Sequence, residues 1–234
     1  MLISSATLIW IVSFLASVSV TVCFRVDIPF KEETMTTGVE TTTDTIISSE
    51  LFKKNSRAQW YEDSFLYDNY FYNHKNGVIV ESGALDGLTF STSWTFDKLL
   101  NWTPVHVEGS PLNYANLTRH RPDALNANVA LCSHPGKYHY IQRKHTLYGH
   151  DINGVAGSVD GILEFMPDKF IKSVYFSDKY KSKTSKDGVF SYTGLDMNAA
   201  MITTIDCTRF SNLMHFLHVK KIGQYSQWWH SLKL

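Results

Sequence analysis

The chain has 234 residues, a formal net charge of zero and an apolar fraction of 44%. This length fits one domain with an N-terminal extension, and the apolar content is sufficient for a core. Because the charges balance, no electrostatic argument supports binding to nucleic acid. His139, His145 and His150 are close in sequence, but no cysteine or acid completes a metal-ligand spacing, so no metal site is predicted.

The chain begins with an apolar segment, residues 1–24. Residues 2–24 carry no charge and are rich in Leu, Ile, Val and Phe. A helix of about 20 such residues spans a bilayer, whereas a signal peptide has a shorter apolar core and a basic start. Small residues at Ser17 and Ser19 still permit cleavage. The segment is predicted to be a hydrophobic helix, either a retained anchor that holds residues 2–24 in a membrane or a cleaved signal peptide.

Residues 25–55 are predicted to be a linker or stem. Residues 34–49 are rich in threonine and show no apolar periodicity before Ile46 and Ile47. Such a composition is typical of a flexible, O-glycosylated segment between a membrane and a domain.

The predicted domain begins at residue 56 with an aromatic-rich helix over 56–72. Strands and helices then alternate: strand 78–82, helix 91–101, strand 104–108, helix 111–120, strand 125–131, an antiparallel segment 137–142, a short strand near 162–165, strand 201–206 and helix 208–217. Ser110 and Pro111 mark the start of the third of these helices, 111–120, as cap and first residue. This alternation predicts an α/β fold, with a parallel sheet and helices on both faces.

One strand, one turn and one acid together suggest a nucleotide site. Gly83 and Gly87 follow the apolar strand and allow the backbone to turn close to a ligand. Glu108 ends the next strand, near the interval of about 20 residues at which an acid meets ribose hydroxyls. The alternative is an ordinary α/β turn that binds nothing. Glu81, just before the turn, favours a ligand with a cationic amine over a pyrophosphate.

Several separated motifs resemble FkbM-type methyltransferases. They are ESGALDG at 81–87, SWTF at 93–96, NW at 101–102, HVEGSP at 106–111, NY at 113–114, NANVALC at 126–132, GILEFM at 161–166 and IDCT at 205–208. They occur in the order expected of that family and extend over roughly residues 58–222, so we define the domain as 56–222. Animal Star-type membrane proteins carry a related domain.

The resemblance implies a Rossmann-like class I methyltransferase sheet that binds S-adenosylmethionine. Gly83 and Gly87 would form the turn under the methionine end of the cofactor. Glu81 would face its amino group, directly or through water, and Glu108 would accept from the ribose hydroxyls.

Further roles follow from the same resemblance. Asn128 and Val129 would border the adenine. Asp86 would either belong to this site or cap the following helix. The reaction would be methyl transfer to an oxygen of a small molecule or glycan.

Family members continue after the last predicted strand with a Ser-Leu-Asp-Val-Glu-Gly-type motif, which residues 223–234 do not contain. No Asp or Glu follows Asp206. The tail is interpreted as a truncated, divergent or alternatively spliced end, so the C-terminal half of the sheet is expected to be incomplete and no catalytic residue is predicted. The two hypotheses are a methyltransferase-like protein, inactive if these acids are required, and a non-catalytic Star-like protein that acts in secretory-pathway trafficking or partner binding.

Two sequons, at Asn101 and Asn116, favour a lumenal or secreted domain. Cys132 and Cys207 fall at predicted strand ends, and they form either a disulfide or two buried free thiols. The predicted location is a membrane of the secretory pathway, Golgi or endoplasmic reticulum, or the exterior if the signal is cleaved.

Overall fold

The structure is a computed structural model that describes residues 8–12, 20–24, 45–143, 160–174, 182–186, 189–193 and 200–216. Its helices are α1 (Ser49–Lys54), α2 (Glu62–Tyr70), α3 (Ser93–Leu100), α4 (Pro111–His120), α5 (Asp168–Val174) and α6 (Phe210–Phe216). Its strands are β1 (Leu8–Val12), β2 (Val20–Phe24), β3 (Val78–Ser82), β4 (Thr103–Val107), β5 (Leu125–Ala127), β6 (Ala130–Leu131), β7 (Gly136–Arg143), β8 (Gly161–Ile162), β9 (Ser182–Lys186), β10 (Val189–Thr193) and β11 (Ala200–Thr208). A 3₁₀ turn, Leu163–Phe165, follows β8.

The sheet that carries the candidate site has the order β1-β2-β3-β4-β5. β3, β4 and β5 are parallel, with Val80 opposite Val105 and Val107 opposite Ala127. The connections through α3 and α4 are those that parallel strands require. The prediction of a mixed α/β fold with a parallel sheet is therefore confirmed for these three strands.

Apolar side chains cover both faces of this sheet. On one face α1, α2 and α3 contribute to an aromatic cluster of Phe52, Leu66, Tyr67, Phe71, Ile79, Phe96, Leu100 and Trp102. Phe52 stacks on Tyr67 with ring centroids 4.1 Å apart. On the other face Leu213 and Met214 of α6 pack against Val80, Val105 and Val107. Alternate residues of a strand point to opposite faces, so β3 supplies Ile79 to the first cluster and Val80 to the second.

The predicted apolar helix over residues 1–24 is wrong where the structure describes this segment. β2 pairs antiparallel with β1 and with β3. Both segments are rich in Ile, Val and Thr, which fit a pleated surface, and the edge of β3 supplies unpaired backbone groups. No helix among the described residues is long and apolar enough to cross a bilayer. Residues 25–44 of the predicted stem and the tail at 223–234 lie outside the described residues.

The predicted helix over 56–72 is interrupted. α2 begins only at Glu62, because Tyr61 adopts a left-handed conformation with φ of 61°. Asp63, which is fully buried, accepts a hydrogen bond from Ser56 Oγ at 2.6 Å and fixes the preceding segment outside the helix. A local tertiary contact thus overrides the helical pattern.

The predicted strand over 125–131 is divided between two sheets. β5 pairs with β4, whereas β6 pairs with β11 in a second sheet of order β6-β11-β7-β8. β7 and β11 are antiparallel, as the alternation at 137–142 predicts. The short strand predicted near 162–165 is a strand only at its start and then becomes the 3₁₀ turn. The hairpin of β9 and β10 was not predicted.

Candidate functional site at the carboxyl ends of β3 and β4

The turn after β3 has the backbone conformation that its glycines allow. Gly83 and Gly87 both have φ of 77°. The Gly83 amide donates to Val107 O at 2.8 Å, which ties the turn to the end of β4. A Cβ on Gly87 would lie 2.7 Å from side-chain atoms of both Arg121 and Leu117. Glycine is therefore required at 87 both for its dihedral angle and for space.

Glu108 joins this turn to the start of α4. Its side chain accepts from Leu85 N at 2.8 Å and from Ser110 N at 2.7 Å, and only 2% of the residue is exposed. The structure therefore brings the Gly83 turn and Glu108 together, as the strand–turn–strand pattern predicts. A carboxylate has about four acceptor positions, so two remain after these bonds.

Burial raises the pKa of Glu108 from 4.5 to about 7, against the lowering effect of the bonds from Ser110 and Leu85. The negative charge of Asp160 raises it further. Two acids thus lie close enough to influence one another. This electrostatic environment disfavours an anionic ligand group and favours hydroxyl, amino or cationic groups.

Glu81 points to the start of α3. Its carboxylate accepts from Thr92 N at 2.8 Å, Ser93 N at 3.3 Å and Ser91 Oγ at 3.0 Å. It is the capping acceptor for that helix, whose own N-cap side chain makes no capping bond. Glu81 was expected to bind the amino group of a cofactor. In this structure its carboxylate instead accepts hydrogen bonds from the start of α3.

Asp86 stabilises the turn itself. It accepts from Leu88 N at 3.0 Å, Thr89 N at 2.7 Å and Thr89 Oγ1 at 3.2 Å. Asp86 does not cap α3, because its partners Leu88 and Thr89 lie in the turn before the helix. Its place in a cofactor site stays a prediction.

Asn128 and Val129 follow β5 as expected, but only Asn128 contacts the site. Its Nδ2 donates to Glu108 O at 2.7 Å, which binds the ends of β4 and β5 together. Val129 packs against the apolar cluster around Val80 and Val105. The bond from Asn128 also marks the point at which the chain leaves one sheet for the other.

Sequence reasoning missed a buried polar network beneath the turn. His106 Nε2 lies 2.9 Å from Ser93 Oγ, and its Nδ1 lies 2.8 Å from Asn126 Oδ1. Burial lowers the pKa of His106 below 6.5, although the nearby Glu81 carboxylate opposes this shift. The network is closed to solvent and fixes α3 on the sheet. The sequence signal for this network was His106, a polar residue between two valines of β4.

Arg121 was also missed. It is buried, and its guanidinium donates to Gly87 O at 2.9 Å and to Asp97 at 3.0 Å. It also lies over the Trp94 ring, 5.2 Å from the centroid. Arg121 thus ties the end of the glycine turn to α3 and α4.

Cys132 and Cys207 form a disulfide, with Cα atoms 5.9 Å apart. Asn101 of the first sequon is exposed, and so is Thr103.

His139 Nδ1 lies 2.6 Å from Glu164 Oε1, while His145 and His150 lie outside the described residues. Among the residues that the structure describes, no group of three His, Cys, Asp or Glu side chains is arranged for a metal ion.

No protein-family model, curated protein or solved structure matches this chain. The functional proposal therefore rests on the residue pattern and on the geometry described above.

Proposed function

We propose that the chain carries a methyltransferase-type domain that binds S-adenosylmethionine and transfers its methyl group to an oxygen of a small molecule or glycan. The observation that carries this proposal is the contact between Glu108 and the Gly83 turn, made through Leu85 N at 2.8 Å. Ligands of parallel α/β sheets bind at the carboxyl ends of the strands, where both features lie.

Glu108 suits the ribose of the cofactor. Two vicinal hydroxyls need two acceptor positions, and the carboxylate retains about that many beyond its backbone bonds. Gly83 and Gly87 themselves carry no side chain that would obstruct a ligand. Asn128 holds the end of β5 beside Glu108 and so shapes the edge at which the adenine would lie.

When bound, S-adenosylmethionine supplies an electrophilic methyl group. Transfer then depends mainly on the orientation of that group towards the acceptor, and a hydroxyl acceptor also needs a base. In this proposal the Gly83 turn and Glu108 orient the cofactor, and we name no base.

We also propose a lumenal location on a membrane of the secretory pathway, or secretion if the N-terminal segment is cleaved. The disulfide between Cys132 and Cys207 supports an oxidising compartment. The exposed Asn101 sequon is in keeping with glycosylation there.

A second candidate function is Star-like partner binding without catalysis. It is favoured by aromatic side chains that α2 and its flanks leave exposed: Trp60 at 69%, Phe65 at 53% and Tyr72 at 53%. Exposed aromatic groups of this kind are enriched in protein interfaces.

Calorimetric titration of the full chain with S-adenosylmethionine tests the first proposal. We expect a micromolar Kd, no binding by Gly83→Arg, and binding weaker by about 10- to 100-fold for Glu108→Ala, because hydrogen bonds to a charged group are lost.

The matched control is Asp63→Asn. Asp63 is also a buried carboxylate, but its partners are Ser56, Ser64 and Thr95, which do not lie at the strand ends. This variant should lose stability and keep its affinity. A folded wild-type chain that binds no S-adenosylmethionine would refute the first proposal and support the second.

A further inference from the structure

Gln142, in β7, reaches the start of α4 from the second sheet. The residue is fully buried, and its Nε2 donates to Ser110 Oγ. The Ser110 amide in turn donates to the Glu108 carboxylate at 2.7 Å. Ser110 therefore links the Gln142 side chain to Glu108, the acid to which the ribose is assigned.

The other end of this amide is unused. Among the residues that the structure describes, Gln142 Oε1 has no hydrogen-bond partner. Buried side-chain acceptors are nearly always paired, because an unpaired one loses its hydration without compensation. Ser110 fixes the rotamer, since its Oγ also accepts from Asn113 N at 3.1 Å as the cap of α4.

The strand that carries Gln142 is held closely over the site. A Cβ on Gly109 would lie only 3.0 Å from the Tyr140 ring and 3.6 Å from Ile205 Cδ1, so the glycine lets β7 and β11 approach the end of β4. Because residues 140 and 142 point to the same side of the strand, Tyr140 and Gln142 both face this end.

The charges around Gln142 indicate the chemistry of its missing partner. The Glu108 and Asp160 carboxylates lie close enough to influence one another. Neutral or cationic donors fit such a site, whereas phosphate groups do not. An adenosyl group offers two kinds of donor, but each ribose hydroxyl has a single hydrogen and both are assigned to Glu108, so the exocyclic amino group is the donor left for Gln142.

We propose that Gln142 is a nucleoside-recognising residue, whose Oε1 accepts a hydrogen bond from the exocyclic amino group of the adenosyl group whose ribose Glu108 holds. This inference rests on the proposed cofactor and adds to it a contact from the second sheet. It also gives the unpaired acceptor a function.

The test is Gln142→Met in the full chain, which keeps the length of the side chain and removes the amide. We expect the Kd for S-adenosylmethionine to rise about five- to tenfold, and the melting temperature of the ligand-free protein to stay the same or rise. A purely structural glutamine, or one that binds an ordered water, predicts the reverse: a lower melting temperature and an unchanged Kd. That result would overturn the proposal.

Thr95→Val is the matched control. Thr95 is a buried polar residue whose hydroxyl hydrogen is shared between two acceptors, Asp63 Oδ2 at 2.9 Å and Asn55 O at 3.1 Å. Its loss should lower the melting temperature and leave the Kd unchanged.

Two cofactor analogues separate the donor assigned to Gln142 from those assigned to Glu108. An inosine analogue lacks the amino group, so it should bind wild type about fivefold or more weakly and should lose nothing further in Gln142→Met. A 2′-deoxy analogue lacks a hydroxyl assigned to Glu108, so it should still lose affinity in Gln142→Met. If the inosine analogue binds wild type as tightly as the parent compound, the proposal is wrong.

Failure of this inference and failure of the proposed function give different results. If wild type binds the cofactor, Gly83→Arg abolishes binding and Gln142→Met has no effect, only the role of Gln142 is wrong. If wild type binds no adenosyl compound, both are wrong.

Discussion

Glu108 is the residue at which the two parts of the candidate site meet. It lies at the end of one strand, accepts from the turn that follows another, and caps the entry to α4 through Ser110 N. Its pKa of about 7 means that ionisation of the buried acid occurs near neutral pH. A ligand with two hydroxyl donors would favour the ionised form and so bind more tightly as the pH rises.

The pKa of Glu108 predicts a pH dependence of stability. Because burial raises the pKa from 4.5 to about 7, the folded state holds a proton that the unfolded state releases within this window. The contribution of Glu108 is thus fully present below pH 4.5 and is lost as the pH rises through about 7, by about 3 kcal/mol in total.

Urea unfolding of wild type and Glu108→Gln at pH 5 and pH 8 measures this effect. The glutamine variant should lack the decrease that wild type shows between these pH values. His106 has a lowered pKa and acts in the opposite direction below 6.5, but it is common to both proteins and cancels in the comparison. Equal pH slopes in the two proteins would contradict the assignment.

The sequence was informative about residues whose positions depend on local spacing. Gly83 and Glu108 converge because each directly follows a strand of one parallel sheet. The partners of Glu81 could not be deduced, since they depend on where α3 begins in space. Gln142 was also inaccessible to sequence reasoning, because it reaches Ser110 from another sheet.

At the scale of elements, strong local signals predicted boundaries well. Strand 78–82 and helix 111–120 are confirmed with the same limits, and the expected cap Ser110 accepts from Asn113 N. The helix predicted over 56–72 failed because buried polar contacts of Asp63 interrupt it. The strand predicted over 125–131 failed because a short apolar run does not reveal that Asn128 redirects the chain.

The N-terminal segment shows why apolar runs are ambiguous. A segment rich in Ile, Val and Thr has the hydropathy of a helix that spans a bilayer. Its side chains are also branched at Cβ, which favours a strand. In the structure β2 covers the edge of β3, on the side where open parallel sheets commonly continue with another strand. The edge of β3 that faces away from β4 is thereby paired.

The start of α3 gives a prediction at this scale. Glu81→Ala removes an acceptor from Thr92 N, Ser93 N and Ser91 Oγ, and leaves these buried donors without it. We expect the free energy of unfolding to fall by about 3 kcal/mol, measured by urea denaturation. Glu50→Ala, at an exposed position in the first turn of α1, is the control and should change it by no more than about 0.5 kcal/mol. A loss of similar size in both variants would show that Glu81 does not cap α3.

At the scale of the whole molecule, two sheets meet along the chain segment between β5 and β6. β6 pairs with β11, and the disulfide from Cys132 to Cys207 joins the same two regions across 75 residues of sequence. The link holds β7 and Gln142 beside the end of β4.

The disulfide should therefore contribute strongly to stability. The double variant Cys132→Ser with Cys207→Ser should lose about 2–4 kcal/mol in the free energy of unfolding, because closing a long loop restricts the unfolded chain. A reducing agent should produce a comparable loss in wild type and none in the variant. Unfolding of wild type that is insensitive to reduction would show that the link carries no stability.

The most direct test of the account is hydrogen exchange of the full chain with and without S-adenosylhomocysteine, the product that methyl transfer leaves. We expect slower exchange at the amides of residues 83–87 and 108–110 together, since one ligand would contact both strand ends. Exchange that is unchanged at saturating ligand, or slowed at only one of these segments, would contradict it.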